Sequence, residues 1–199
     1  MEKGAVLFLT NNDNTADLYD WLLAQGEKVY RIQNKISLEI IKQLKPSYII
    51  SFNYRHLIKK DVLEYMQGKV INLHTSYLPF NRGSAPNFFS FMEDTKKGVT
   101  IHLMDEGLDT GDILCQKELY FDEEKETFAT TYDKLLLSIK ELFKENWQAI
   151  KDGRLKPKKQ EGEGTYHRMQ ELSAIRQKHP FTWDVVIAEY KRGLEATAK

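Results

Sequence analysis

Along the first half of the chain, segments with the hydrophobic pattern of buried strands alternate with segments of helical periodicity, as is typical of an α/β protein. A continuous apolar run at 5–9 predicts a buried parallel strand, and the segments 29–32 and 48–52 predict a second, short strand and a third one. Apolar residues at helical spacing in 16–25 and 37–44 predict helices between these strands. Strands and helices that alternate in this way form a parallel sheet with right-handed crossovers. Such sheets bind ligands beyond the carboxyl ends of their strands.

The later part of the chain predicts further elements of the same kind. Strands are expected at 99–104 and 113–120, and a short helix capped by Ser84 is expected at 87–93. The segment 127–151 carries apolar residues at helical spacing over its whole length, which predicts a long helix packed on the core.

A polar, glycine-rich stretch at 156–164 predicts a linker. We therefore place the main domain at 1–155, and a linker with a C-terminal tail at 156–199. Within the tail, one short helix is expected to end at Ile175, and another to run from Thr182 to about Arg192. The fold class that these elements indicate is α/β, with a Rossmann-like, mostly parallel sheet, flanking helices and a short C-terminal helical tail.

Composition and charge narrow the classes of function. The 199 residues suit one globular domain, and 29 basic residues balance 29 acidic ones. The chain is therefore not expected to bind nucleic acid or a membrane surface. Cys115 is the only cysteine, which excludes an internal disulfide and fits a reducing compartment. The apolar run after Gly4 is too short for a signal peptide or a membrane span. We expect a soluble cytoplasmic protein.

The side chains best suited to catalysis lie between 70 and 113. A β-branched start at residue 70 predicts a strand, in which Asn72 and His74 share one face. Pro79 ends any helix or central strand, so the two side chains lie near the mouth of a loop. Asp109 lies between two glycines, which let the backbone turn sharply and let a ligand approach closely.

These three residue types suit acyl transfer. The amide of Asn72 can donate to an oxyanion without carrying a charge, and His74 can donate or move a proton near neutral pH. The carboxylate of Asp109 would favour the imidazolium and could accept a proton from a nucleophile. Ser76 is a doubtful nucleophile, because the strand is not expected to continue towards it. The set therefore predicts direct transfer of an acyl group to an external nucleophile.

Three separated motifs carry a resemblance to a known family. Asn-x-His at 72–74, Ser-x-Leu-Pro at 76–79 and Asp-x-Gly at 109–111 resemble the formyltransferases that use 10-formyltetrahydrofolate. That family includes glycinamide ribonucleotide formyltransferase, methionyl-tRNA formyltransferase and the sugar-nucleotide N-formyltransferases. The resemblance covers roughly the first three quarters of the chain. It implies the formyltransferase fold, 10-formyltetrahydrofolate as formyl donor, and catalytic roles for Asn72, His74 and Asp109.

The resemblance also implies that two loops hold the pterin ring, largely through backbone groups. The first follows the strand at 48–52 and the second precedes Asp109. The implied cofactor-binding residues are Tyr54, Arg55, His56, Leu57 and Ile58 in the first loop, and Asp105, Glu106, Gly107 and Leu108 in the second. No metal is expected, because His74, His102 and Asp109 lack the ligand spacing of a metal site. We interpret His102 as a sheet-face histidine.

The acceptor is predicted to be an amine on a sugar nucleotide. The Pro-x-Asn-Arg-Gly segment at 79–83 and the short tail resemble the sugar-nucleotide enzymes, which implies a dTDP-linked 3-amino or 4-amino deoxysugar. The candidate substrate-binding residues are Asn11, Tyr77, Arg82 and Arg168, with the two arginines as candidates for the phosphates. Asn11 equally suits turn formation. The tail is expected to complete the substrate pocket or a homodimer contact.

Other acceptors and another class of function remain open. Glycinamide ribonucleotide is the runner-up, although the first turn has no glycine between Gly4 and Gly26 for its phosphate. Initiator tRNA is less favoured, because neither a large C-terminal domain nor a basic surface is evident, although 104–114 closely resembles methionyl-tRNA formyltransferases. A non-catalytic module that binds folate or a nucleotide is the alternative from a different class.

Overall fold

The computed structural model describes residues 4–197, and contacts within it divide the chain into two compact units. Each unit is assembled from three separate stretches of sequence. The first takes in 4–74, 101–114 and 155–159, and the second takes in 75–100, 115–154 and 160–197.

The described residues form eight strands and seven α-helices. The strands are β1 (Val6–Leu9), β2 (Val29–Ile32), β3 (Tyr48–Phe52), β4 (Val70–His74), β5 (Arg82–Gly83), β6 (Lys97–Leu103), β7 (Ile113–Leu119) and β8 (Tyr166–His167). The α-helices are α1 (Ala16–Ala24), α2 (Leu38–Leu44), α3 (Lys60–Met66), α4 (Pro86–Met92), α5 (Phe128–Lys151), α6 (Met169–Lys178) and α7 (Ile187–Thr197). Among residues 4–197, no helix is both long and apolar enough to cross a membrane.

The first unit contains the predicted parallel sheet. Its strands follow the order β2-β1-β3-β4, continued by the ends of β6 and β7 at 101–103 and 113–114. Strand β1 pairs in parallel with β2 and β3, and β3 pairs in parallel with β4, where Ser51 lies opposite Asn72. The carboxyl ends of β1, β3 and β4 therefore lie at one edge of the sheet, as the sequence predicts.

Burial explains why β1 is a continuous apolar run and why β3 is mostly apolar. All four residues of β1 are fully buried, and so are Ile49 and Ile50 of β3. One cluster on the sheet joins Leu7 and Ile49 with Ile41 of α2 and Val62 of α3. A strand covered on both faces has no solvent side, so it shows no polar alternation.

The second unit has an aromatic core around the start of α5. Thr127 caps that helix, because its Oγ1 accepts from the Thr130 N–H at 3.1 Å while the Thr130 hydroxyl accepts from the Thr127 N–H at 3.0 Å. Phe88 of α4 stacks on Phe181 of the tail with ring centroids 5.2 Å apart. Apolar residues of α6 and α7 join the same cluster. The tail thus supplies part of the hydrophobic core of this unit.

Several predicted boundaries were wrong. The last helix begins at Ile187 rather than Thr182 and continues to Thr197. Residues 183–186 instead lie along the start of α5, where Trp183 O accepts from the Ala129 N–H at 2.8 Å. The preceding helix, α6, ends at Lys178 rather than Ile175.

The predicted capping of α4 by Ser84 was also wrong. The N-cap residue is Ala85, with φ 51° and no capping side-chain bond, while the Ser84 N–H donates to His167 O at 2.9 Å. That bond belongs to a two-stranded ribbon of β5 and β8, in which Arg82 lies opposite Tyr166. The local sequence pattern indicated neither the ribbon nor α3. The assignment of functions to 1–155 and 156–199 stays a prediction.

Candidate active site

Two of the predicted catalytic side chains lie at the carboxyl end of β4 and meet a third from a loop. Asn72 donates from Nδ2 to Oδ1 of Asp109 at 3.1 Å, and Nδ1 of His74 lies 3.7 Å from Oδ2 of the same carboxylate. The side chains of His74 and Asp109 are each only 8% exposed. One buried carboxylate therefore faces both an amide and an imidazole, and the structure brings together the three residues that the sequence selected.

The loop after β6 presents Asp109 to β4 in an unusual backbone conformation. Asp109 has φ 54°, in the left-handed region that few non-glycine residues adopt. A Cβ at Gly111 would overlap the carbonyl oxygen of Leu103. Within the loop, Oδ1 of Asp105 accepts from the Thr110 hydroxyl at 2.7 Å. The sharp turn predicted from the glycines is present, and Gly111 is required because two backbone segments pass close to each other.

His102 of β6 belongs to the same cluster, although the sequence analysis gave it no role in the site. Its side chain is 1% exposed, and Nδ1 lies 2.7 Å from Leu103 O, which can only accept. Its Nε2 lies 3.2 Å from Nδ2 of Asn72 and 3.5 Å from Oδ1 of Asp109. This pattern fits the tautomer with its proton on Nδ1, since Nε2 then accepts from Asn72. A prediction that β6 lies beside β4 would have placed His102 next to Asn72.

The described residues contain no group of three or more His, Cys, Asp or Glu side chains that could hold a metal ion. The geometry around Asp109 is instead that of a hydrogen-bonded cluster. Its amide and imidazoles are donors and proton carriers of the kind that stabilise developing negative charge.

The two predicted cofactor loops lie close together in the first unit. Lys60, just after the loop at 54–58, forms a 2.6 Å ion pair with Glu106 of the second loop, and Glu106 raises the pKa of Lys60. Within the first loop, Leu57 is 76% exposed, whereas Ile58 is buried in the core. Their predicted contacts with the pterin ring, like those of the remaining loop residues, stay predictions.

Asn11 ties together three loops at the carboxyl edge of the sheet. Its Nδ2 donates to Gln33 O at 2.9 Å, its Oδ1 accepts from the Arg55 N–H at 2.9 Å, and its own N–H donates to Asn53 O at 3.2 Å. The Tyr54 hydroxyl adds a bond to Asn34 O at 2.7 Å, and burial raises the pKa of this tyrosine. Asn11 therefore supports the first cofactor loop, and its predicted substrate contact stays a prediction.

The other three predicted substrate-binding residues lie in the second unit. Tyr77 is half-buried under the Lys96 ammonium, which lies 5.1 Å from the ring centroid. Arg82 is half-buried and donates to Gln160. Arg168 is exposed, with its guanidinium 5.8 Å from the ring centroid of Tyr166. The β5–β8 ribbon thus places the backbone segments that carry the two arginines side by side, although the arginines are 86 positions apart in the sequence.

Comparison with known proteins decides the family. The model of the family described as formyl transferase matches residues 21–145. The chain belongs to this family. The resemblance carried by Asn-x-His, Leu-Pro and Asp-x-Gly is thereby confirmed, and so is the predicted formyltransferase fold.

Individual relatives differ in how much of the chain they cover. Methionyl-tRNA formyltransferase of Clostridium botulinum is 38% identical over 145 residues, which are 71% of this chain and 47% of that protein. The chain spans about half the length of the curated relatives that it matches. The formyltransferase PseJ from Anoxybacillus kamchatkensis, solved in complex with UDP-4,6-dideoxy-4-formamido-L-AltNAc and tetrahydrofolate, is 36% identical, with TM-score 0.86 and coverage of 94% of this chain and 97% of that one.

A more distant structure shares the fold. A sugar N-formyltransferase from a Shewanella species is 22% identical, with TM-score 0.74, and the match covers 92% of this chain and 82% of that one. At this level of identity, the likeness concerns the arrangement of strands and helices alone.

Proposed function

We propose that this chain is an N-formyltransferase that moves a formyl group from 10-formyltetrahydrofolate to the primary amine of a nucleotide-linked amino deoxysugar. The observation that carries the proposal is the contact of both Asn72 and His74 with the buried carboxylate of Asp109. An amide, an imidazole and a carboxylate at one point supply oxyanion donors and a proton acceptor without a covalent nucleophile.

In the proposed reaction, the acceptor amine attacks the formyl carbon directly. A C–N bond to the amine forms, and the bond from the formyl carbon to N10 of the folate breaks. The amine proton passes to N10, so the products are a formamide and tetrahydrofolate. Asn72 and His74 stabilise the negative oxygen of the tetrahedral intermediate, and Asp109 helps to carry the proton.

The amide nitrogen of Asn72 already has two hydrogen-bonding partners, which limits how it can bind the oxyanion. An amide nitrogen has two N–H donors, and Nδ2 of Asn72 lies within hydrogen-bonding distance of both Asp109 and His102. To bind the oxyanion, the amide must exchange one of these partners for the substrate oxygen.

For the formyl donor, we propose that the loops at 54–58 and 105–108 form the pterin site. The ion pair between Lys60 and Glu106, and the bond from the Arg55 N–H to Asn11, support this assignment because they hold both loops in place. Backbone groups fixed in this way can read the edges of a flat ring with little loss of entropy on binding.

For the acceptor, we favour a UDP-linked 4-amino-4,6-dideoxy sugar over the dTDP-linked sugars expected from the sequence. The A. kamchatkensis formyltransferase, which matches this chain over nearly its whole length, is bound to a UDP-linked 4-formamido sugar. Such a formamide is the product of formylating the corresponding 4-amine. Tyr77, Arg82 and Arg168 remain the candidate contacts for this substrate. A cytoplasmic location and a homodimer formed through the tail stay predictions.

A second candidate is formylation of methionyl-tRNA. It is favoured by the curated relatives of that name, which are up to 39% identical to this chain. The balance of 29 basic and 29 acidic residues opposes it, because proteins that bind nucleic acid carry a positive surface.

One experiment separates these possibilities. Tetrahydrofolate formation from 10-formyltetrahydrofolate is measured with UDP-linked and dTDP-linked amino deoxysugars, glycinamide ribonucleotide and methionyl-tRNA as acceptors. We expect turnover with the UDP-linked 4-amino sugar. Turnover with glycinamide ribonucleotide or methionyl-tRNA instead would assign that activity. Folate binding without single-turnover release of tetrahydrofolate from any acceptor would indicate a non-catalytic binding module.

A further inference from the structure

The half-buried guanidinium of Arg82 in the second unit is oriented by a neutral partner. Its Nε and Nη2 donate to Oε1 of Gln160 at 3.1 and 2.7 Å. Within residues 4–197, no carboxylate forms an ion pair with this arginine. By contrast, Arg31, Arg154 and Arg192 each pair with an acidic side chain at 2.9 to 3.2 Å. Gln160 therefore fixes the direction of the guanidinium without neutralising its charge.

The backbone that carries Arg82 is held on both sides. Its N–H donates to Thr165 O at 2.9 Å, and the next residue is Gly83, where a Cβ would overlap the carbonyl oxygen of His167. A Cβ at Gly164 would lie 3.0 Å from Cζ of Arg82, so the guanidinium packs against the backbone there. Little conformational entropy remains for this side chain to lose when a ligand binds.

Asn81 further rigidifies the strand start. It is fully buried with φ 56°, and its N–H donates to the Thr165 hydroxyl at 2.8 Å. Its Nδ2 donates to Oε2 of Glu93 at 3.2 Å, and its Oδ1 accepts from the Thr95 hydroxyl at 2.7 Å. A buried network of this kind is costly to disturb, so it fixes the position from which Arg82 projects.

A guanidinium has five N–H donors in a planar fork, and Gln160 uses two of them. The remaining donors and the full positive charge are suited to the oxygens of a phosphoryl group, which arginine binds in a bidentate manner. We propose that Arg82, oriented by Gln160, binds the diphosphate of the nucleotide sugar, with Gln160 as a positioning residue. This proposal rests on the proposed function, because it names the part of that substrate which Arg82 recognises.

The test compares anion binding in matched variants. UDP, UMP, uridine and inorganic pyrophosphate are titrated calorimetrically into the full chain and into Arg82→Gln, Gln160→Glu and Arg154→Gln. Gln160→Glu places a carboxylate beside Arg82 and keeps the hydrogen-bonding shape. Arg154→Gln is the control, because it removes an arginine that is already ion-paired on the surface.

We expect Arg82→Gln and Gln160→Glu each to weaken UDP binding by about tenfold to a hundredfold, the range for charge-assisted hydrogen bonds. The preference for UDP over uridine should fall by the same factor, and Arg154→Gln should bind as the parent chain does. The unfolding temperature of Gln160→Glu should not fall, since a new ion pair replaces a neutral bond. Tetrahydrofolate affinity, measured on the same samples, checks that each variant is folded.

The outcomes separate this inference from the proposed function. UDP binding that is unchanged in both Arg82→Gln and Gln160→Glu would overturn the phosphate role and leave the sugar-nucleotide proposal standing. A chain that binds pyrophosphate through Arg82 but has no affinity for UDP would support the subsite and contradict the proposed acceptor. Equal loss of uridine and UDP affinity in Arg82→Gln would show that Arg82 maintains the local structure and does not contact the phosphates.

Discussion

Asn72 and Asp109 are joined by a 3.1 Å hydrogen bond from an amide nitrogen to a buried carboxylate, across 37 positions of sequence. The other oxygen of the same carboxylate lies 3.7 Å from Nδ1 of His74, so the amide and the imidazole face one carboxylate. If this is the oxyanion site, Asn72→Ala should lower kcat by a hundredfold or more, about 3 kcal/mol of transition-state stabilisation. Steady-state kinetics with 10-formyltetrahydrofolate checks this, with tetrahydrofolate affinity as the control for folding. Full turnover in the variant would remove Asn72 from the mechanism.

His102 should affect the rate through Asn72. Its Nε2 is one of the two partners of the Asn72 amide, and a hydrogen bond of this kind contributes about 1 kcal/mol. We expect His102→Ala to lower kcat about fivefold to tenfold with little change in the KM for folate. His102→Gln keeps an acceptor and should recover much of the loss. Equal rates in His102→Ala and the parent chain would show that His102 contributes packing only and does not position Asn72.

The contacts of Asn11 favour a role in holding the folate loop. Asn11→Ala removes the bonds to Gln33 O and the Arg55 N–H, each worth about 1 kcal/mol. Tetrahydrofolate should then bind about tenfold more weakly, while the KM for the amine stays the same. The control is Asn12→Ala, because Asn12 makes no side-chain capping bond. A rise in the KM for the amine alone would establish the substrate contact that the sequence suggested.

Two glycines offer a matched pair for stability. Gly111→Ala places a Cβ against the carbonyl oxygen of Leu103 and should destabilise the fold by about 1–3 kcal/mol. At Gly193, within α7, a Cβ meets nothing within 4 Å, so Gly193→Ala should stabilise by about 1 kcal/mol. Urea unfolding measures both. Equal effects at the two positions would show that Leu103 moves aside to accommodate the methyl group.

Cys115 should resist thiol reagents while the chain is folded. Burial, with a smaller contribution from Glu145, raises the pKa of its thiol from 9.0 to about 12. The thiolate fraction at pH 8 therefore falls about a thousandfold relative to an ordinary cysteine. Reaction with a disulfide reagent at pH 8 should be slow for the native chain and fast in denaturant. Rapid reaction of the native chain would mean that β7 opens readily.

Local pattern was enough to predict the strands of the first unit and its helices α1 and α2. The contrast between strand and helix periodicity is a property of neighbouring residues, and buried strands such as Val6–Leu9 show it as an unbroken apolar run. Strand alternation alone placed Asn72 and His74 on one face. The glycine at 111 indicated a sharp turn, which the structure has beside Asp109.

Only the tertiary structure decided which distant side chains meet. His102 reaches Asn72 because β6 lies beside β4, and Gln160 reaches Arg82 across 78 positions of sequence. The late start of α7 likewise follows from backbone bonds between residues 183–187 and the region where α5 begins. Propensity and periodicity carry no information about such pairings, because their free energy appears only when the sheet order and the packed core bring the groups together.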